Sequence, residues 1–180
     1  MFSVGQNIVH PTHGAGTIVD LLNQELVKGY QRYYVIRFAD KRLTVRVPMR
    51  RTEELGLRRV MGKAKCEEVL EVLQKLPKAL PSNFKERRKV VEQLIHSGRP
   101  VKIAEAVREL TWRQELKPLN KADSELYAQA RAMLVQEMSL STGNEQLDVE
   151  RRIGRALSKS IEAKTHLIEI EDEAEAEQQQ

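Results

Sequence analysis

The sequence predicts an α+β protein in which a small five-stranded β-barrel precedes an all-α helical bundle and an acidic tail. Through about residue 60, short apolar runs alternate with turn residues, which is typical of short strands. From Lys63 onward, apolar residues recur instead at helical spacing. Residues 169–180 hold six acidic residues and no Lys or Arg. We therefore place the domains at residues 1–62 and 63–163, with 164–180 as a disordered tail.

Residues that interrupt a β-ladder separate the predicted strands. Gly and Pro cannot extend a ladder cheaply, so they mark where strands reverse. The strands are two apolar runs on either side of the turn at residues 10–16, then Tyr33–Phe38, Leu43–Val47 and Leu55–Val60, with turns at residues 28–29 and 39–41. Five short strands at near-even spacing fit a small closed barrel. Such a barrel has little room for an internal site, so we expect its exterior to bind a partner.

The helical half divides at prolines, glycines and capping residues. Pro77 and Pro118 end helices, whereas Asn83 and Asn120 can cap the helices that follow them. The predicted helices are Lys65–Leu76, one that begins near Ser82 or Asn83 and ends at His96, Val101–Leu116, one from Asn120 through Leu140, and a fifth after the polar loop at residues 141–145.

Composition and charge favour a protein that binds a polyanion inside the cell. The formal net charge is +4, but residues 1–168 hold 30 basic against 20 acidic residues, an excess of ten. Such an excess suits nucleic acid, although a solvated basic surface fits the charge equally well. Cys66 is the single cysteine, which excludes a disulfide framework and a cysteine-based metal site. Without an apolar run of about 18 residues or a signal-peptide pattern, we expect a cytoplasmic protein.

The start of the second helix is the best candidate for a DNA contact. A helix N-terminus offers free N–H groups and a positive dipole end to a phosphate. An apolar ring beside it could insert at a base step in a widened minor groove. The candidates are Phe84, Lys85, Arg87, Arg88 and Lys89. Phe84 and Val91 share a helical face, however, and this pattern alone favours a core position for Phe84.

Both halves of the chain resemble one bacterial family. The barrel carries Val4-Gly5, His13-Gly14 and residues 43–48 with the sequence LTVRVP, and the helical half carries PSNF at 81–84 and AEAVREL at 104–110. In this order, over residues 2 to about 160, the motifs resemble the transcription regulators called CarD or CdnL.

The resemblance implies a Tudor-like barrel that binds the β subunit of bacterial RNA polymerase. The barrel contact adds an exposed strand to a polymerase sheet, so that backbone bonds give affinity and outward side chains give selectivity. The matching residues here are Thr44, Val45, Arg46, Val47 and Pro48. Alternation along this strand already points Thr44 and Arg46 outward. We expect Arg46 to meet a polymerase carboxylate, against the alternative of a solvated surface arginine.

The resemblance also implies that the helical domain touches promoter DNA and stabilises the open complex at the upstream edge of the bubble. Relatives commonly place a Trp wedge where this chain has Phe84. Phe has less area and lacks the indole N–H donor, so we expect a weaker wedge. Arg87 and Lys89 fall on basic family positions, whereas Glu86 and Gln24 replace basic residues of some relatives.

Other interpretations fit less well. Trp112 shares a face of the third helix with Val101 and Leu116, which favours a core position over a DNA wedge. His10 and His13 have no acidic or cysteine neighbour to complete a metal site. We expect no enzyme, no cofactor, no small-molecule substrate and no membrane contact. The alternative function is a polymerase-binding adaptor without a functional DNA contact, and a free-standing nucleic-acid binder is a weaker third.

Overall fold

The predicted α+β class is confirmed. The computed structural model describes residues 1–38 and 42–177, in which an antiparallel five-stranded sheet is followed by five helices. The strands are β1 (Asn7–His10), β2 (Gly14–Val27), β3 (Tyr30–Phe38), β4 (Leu43–Pro48) and β5 (Arg58–Arg59). The helices are α1 (Lys63–Gln74), α2 (Phe84–His96), α3 (Pro100–Leu116), α4 (Lys121–Thr142) and α5 (Gln146–Glu177).

The strands pair in the order β4-β3-β2-β1-β5, and every pairing is antiparallel. Strands β4 and β5 are therefore the two edges of the hydrogen-bonded ladder within the described residues. The predicted turn at residues 28–29 is confirmed, with Gly29 at a φ of +88°. The predicted turn at 39–41 lies outside the described residues. Strand β2 is longer than predicted because its largely exposed second half continues to pair with β3 as far as Val27.

The predicted strand at Leu55–Val60 was too long. Only Arg58 and Arg59 pair with β1, because Leu55 and Gly56 belong to a turn in which Gly56 has a φ of +68°. Inside the curved sheet lies an apolar core of Ile8, Ile18, Tyr34, Ile36, Phe38, Val47 and Leu57. Gly16 permits this packing, since a Cβ there would lie 2.7 Å from the Phe38 ring.

The helices enclose a second core, to which α1, α3, α4 and α5 contribute Leu73, Leu110, Leu134 and Ile153, all fully buried. Trp112 is 7% exposed, which confirms the predicted burial. Leu116, predicted on the same buried face, is instead 61% exposed because it is the last residue of α3. The predicted caps are confirmed: the side chains of Asn83 and Asn120 accept backbone N–H bonds at the starts of α2 and α4.

Helix α5 continues beyond the bundle into the acidic segment. A disordered tail was expected at 164–180, and the structure describes residues 164–177 as an extension of α5. Every side chain from Glu171 to Ala176 is exposed there. Along the described chain, no helix combines the length and apolar character that crossing a bilayer requires.

Candidate functional site

Strand β4 presents an alternating face and an available backbone edge. Thr44 and Arg46 are exposed, whereas Val47 is buried and Val45 packs against the sheet core, so the predicted alternation is confirmed. One edge of β4 pairs with β3, from Tyr33 opposite Pro48 to Phe38 opposite Leu43. No strand of the described chain pairs with the other edge. Such an edge offers its outward N–H and C=O groups to a further strand.

The exposed face of β4 continues onto β3. Arg37 lies directly opposite Thr44, and Val35 lies opposite Arg46. Residues directly opposite in an antiparallel pair project to the same side of the sheet. Arg37 is exposed and therefore adds a second cation diagonal to Arg46. This face can meet carboxylates with two guanidinium groups rather than one.

At the second predicted site, Asn83 organises the first turn of α2. Its side-chain oxygen accepts the N–H groups of Lys85 at 2.9 Å and of Glu86 at 3.2 Å. The cap thus occupies two of the amides that an N-terminal phosphate site would use. Attraction for a phosphate at this helix start must therefore come mainly from side chains.

Phe84 projects from this first turn and is 44% exposed. The core position that helical periodicity favoured is therefore wrong, even though Val91 on the same face is fully buried. The helical face that carries both residues is therefore packed against the bundle at Val91 and exposed to solvent at Phe84. An exposed ring at a helix start has the geometry of a wedge that can stack on a base.

Three of the predicted cations are exposed on the first two turns of the same helix: Lys85, Arg88 and Lys89. The Nε atom of Arg88 lies 2.8 Å from an oxygen of Glu92, one helical turn later. This hydrogen bond and the charge of Glu92 raise the pKa of the Arg88 guanidinium. The pair lies at the surface, where solvent screens it, so a DNA phosphate can displace Glu92.

Arg87 does not belong to this exposed set, and its expected DNA contact is corrected here. It is 4% exposed, and its Nε donates to Asp123 Oδ2 at 2.9 Å. Its Nη1 donates to the carbonyls of Pro81 and Ser82 at 2.9 and 2.8 Å. Because its donors are directed into the protein, Arg87 supports the helix start and does not face a ligand.

A partly buried ion pair between Arg58 and Glu137 joins the sheet to the helices, and sequence reasoning missed it. Arg58 donates from both Nη1 and Nη2 to the Glu137 carboxylate, and the distance from Nη2 to Oε2 is 2.8 Å. Arg58 Nε also donates to the Gly98 carbonyl at 2.8 Å, and Glu137 accepts the Met61 N–H at 2.8 Å. The partners are 79 residues apart, so no local pattern could have indicated the pair.

His10 and His13 pack as aromatic rings in the turn between β1 and β2. Their centroids are 4.6 Å apart, and His13 lies 5.3 Å from Phe38. Within the described ranges, no group of three His, Cys, Asp or Glu residues is placed to hold a metal ion.

Comparison with known proteins places both halves of the chain in one family. Residues 2–61 match the model of the CarD-like/TRCF RID domain, and residues 68–154 match that of the CarD C-terminal domain. The chain is also 30% identical over 145 residues to the "Putative transcription factor YdeB" of Bacillus subtilis (strain 168), a match that covers 79% of this chain and 94% of that protein. The chain therefore belongs to the CarD family of transcription-associated proteins.

Proposed function

We propose that this protein docks on the β subunit of bacterial RNA polymerase through β4 and stabilises the open promoter complex through the start of α2. Residues 1–62 would form the polymerase-binding domain and 63–163 the DNA-contacting domain. The observation that carries the proposal is the exposed ring of Phe84 at the start of a helix whose first two turns also expose Lys85, Arg88 and Lys89. Family membership supports a role with RNA polymerase in transcription, which takes place in the cytoplasm.

On the polymerase side, the available edge of β4 would extend a sheet of the β subunit. Backbone bonds would supply affinity, and the outward side chains would supply selectivity. Arg46 would bond a carboxylate, with Thr44 beside it and Arg37 as a second cation. Val45 and Val47 would hold the strand in register from the core side, and Pro48 would end the docking strand.

On the DNA side, the Phe84 ring would enter the minor groove at the upstream edge of the bubble. Lys85, Arg88 and Lys89 would contact phosphates, which fix position without reading sequence. A stacked ring stabilises the unpaired state because the base step it occupies cannot close around it. The contact needs no sequence preference, since every base has a face on which to stack.

The alternative is an adaptor that binds polymerase and leaves DNA untouched. It predicts that truncation of Phe84 changes nothing at a promoter. The position of Phe84 favours the DNA-contacting function, because its exposed ring lies at a helix start that also carries the exposed cations Lys85, Arg88 and Lys89.

The test is the lifetime of open complexes on a ribosomal-type promoter with the cognate polymerase. Wild type, Arg46→Glu and Phe84→Ala would be compared after each is shown to be folded. Arg32→Glu is the matched control for charge reversal, since Arg32 is exposed on β3 but lies beyond the pairing with β4. We expect the wild type and the control to lengthen the lifetime and the two variants to lose the gain. Loss with Arg46→Glu alone would leave the adaptor, and no gain with the wild type would refute stabilisation of the open complex.

A further inference from the structure

We propose that α4 acts as a strut that fixes the start of α2 relative to the polymerase-binding sheet. It does so through a buried carboxylate near each end, Asp123 paired with Arg87 and Glu137 paired with Arg58. All four are positioning residues, because none of them reaches the proposed polymerase or DNA surface. The inference rests on the proposed function and adds the device that couples its two contacts.

At one end, Asp123 anchors the backbone that leads into Phe84. Asp123 is 1% exposed, and its Oδ2 accepts bonds from Arg87 Nε and Asn120 Nδ2, both at 2.9 Å. Because Arg87 also holds the carbonyls of Pro81 and Ser82, one guanidinium ties the first turn of α4 to the segment that precedes the α2 cap. The direction in which the Phe84 ring leaves the surface is thereby set by α4.

At the other end, Glu137 anchors the sheet. Glu137 is 2% exposed, and Arg58 engages both of its oxygens from strand β5. The same carboxylate holds the Met61 N–H, at the junction between β5 and α1. Arg58 extends the link to the Gly98 carbonyl in the turn between α2 and α3. The Glu137 carboxylate and its partners therefore connect the sheet, the junction between β5 and α1, and the helices.

The helix between the two anchors is rigid. Asp123 and Glu137 are 14 positions apart, which at 1.5 Å per residue corresponds to about 21 Å and nearly four turns. They thus lie on roughly the same side of α4, and Ala130 and Leu134 between them are fully buried in the core. A packed helix transmits a displacement at one end to the other.

Ion pairs serve this purpose better than apolar contacts would. Arg58 bonds both oxygens of Glu137, and a bidentate bond of this kind defines direction as well as distance, whereas apolar surfaces can slide. Arg87 bonds a single oxygen of Asp123, and its direction is fixed by its further bonds to the Pro81 and Ser82 carbonyls. Ion pairs removed from solvent are weak contributors to stability compared with apolar side chains of the same size. The buried Arg87–Asp123 pair and the partly buried Arg58–Glu137 pair therefore indicate a requirement for orientation.

The first test measures the geometry without polymerase. Spin labels would be placed at Gln31→Cys on β3 and Gln93→Cys on α2, both exposed, while native Cys66 is buried and does not label. Pulsed EPR would compare wild type with Glu137→Gln, an amide of the same shape, and with Glu125→Gln, which removes an exposed carboxylate from the same helix. We expect one narrow distance in the wild type and the control, and a shifted or broadened distribution in Glu137→Gln.

The second test asks whether orientation matters at a promoter. Glu137→Gln and Asp123→Asn would be assayed for affinity to polymerase and for open-complex lifetime, below their melting temperatures. We expect wild-type affinity, because β4 is untouched, together with loss of most of the lifetime gain. A photo-crosslinker at position 84 should mark one base step in the wild type and several in the variants.

The outcomes separate the strut from the proposed function. If the wild type itself does not lengthen the lifetime, the proposed function fails and the EPR distances alone decide on the strut. Folded variants with wild-type distances, lifetime and crosslinks would overturn it. If Glu137→Gln does not fold, Arg58→Lys replaces it, because lysine retains the charge but cannot hold the carboxylate and the Gly98 carbonyl with one rigid fork.

Discussion

The Phe84→Ala variant tests whether the Phe84 ring contacts DNA or packs within the protein. With 44% of Phe84 exposed and the Asn83 cap bonds independent of its side chain, truncation removes little packing. We expect a loss of less than about 1 kcal/mol in the free energy of unfolding. Val91→Ala is the matched control on the same helical face. It should cost about 2 kcal/mol, because Val91 is fully buried and its truncation leaves a cavity.

For the lifetime of the open complex we expect the opposite ranking, with a larger effect from Phe84→Ala than from Val91→Ala. Stacking of an aromatic side chain on a base contributes about 1–3 kcal/mol, which corresponds to about a 5- to 150-fold change in an equilibrium. Phe84→Ala should therefore shorten the lifetime of the open complex by a factor in that range. Val91→Ala should leave it unchanged at temperatures where the variant is folded. Phe84→Trp, which adds area and an indole N–H, should lengthen it.

The assay combines thermal or urea unfolding of each variant with dissociation of competitor-challenged open complexes. We expect the free energy of unfolding and the lifetime of the open complex to change independently of each other in these variants. If Phe84→Ala lowered stability as much as Val91→Ala does, and if lifetime followed stability across both variants, the ring would be a packing residue and the proposed wedge would be refuted.

Three further predictions follow from burial and charge. Trp112→Ala should cost about 3–5 kcal/mol in urea unfolding, because the indole is nearly fully buried, and should leave the open-complex lifetime of folded protein unchanged; a selective loss of lifetime would make Trp112 the wedge. Replacing Lys85 and Lys89 by Ala should reduce the salt dependence of promoter binding by about one unit of slope per lost phosphate contact; an unchanged slope would remove them from the DNA surface. Burial raises the pKa of the Cys66 thiol, which lies 3.3 Å from the Ser141 hydroxyl, so iodoacetamide should modify folded protein far more slowly than protein in urea at the same pH; equal rates would contradict that burial.

Features that depend on neighbours in sequence were predictable. The outward positions of Thr44 and Arg46 follow from the two-residue period of a strand, and the starts of α2 and α4 follow from Asn83 and Asn120. Each of these rests on bonds or packing within a few residues. The far half of β2 was not predictable, because its residues show no apolar alternation and pair with β3 through a register shift between Asn23 and Val27.

Features that depend on distant partners were not predictable. A cation in a basic run carries no local sign of burial, and the partners of Arg87 and Arg58 lie 36 and 79 residues away. The i, i+4 spacing of Arg87 and Val91 was the only available hint that Arg87 lies on the inner side of α2. This spacing alone does not predict the burial of Arg87, because the carboxylate that pairs with it belongs to Asp123, 36 residues away.

The start of α2 reverses the arrangement that hydrophobicity alone would select. Helical periodicity places Phe84 toward the core and a long cation outside, yet Phe84 is exposed and Arg87 is buried against Asp123. Exposing a ring and burying a charge both cost free energy, so packing does not explain the exchange. Conflicts between a local pattern and the fold are expected where a site serves binding. The same arginine whose burial removes it from the DNA surface bonds the Pro81 and Ser82 carbonyls just before Phe84, and for this reason substitution of its partner Asp123 should weaken the promoter contact.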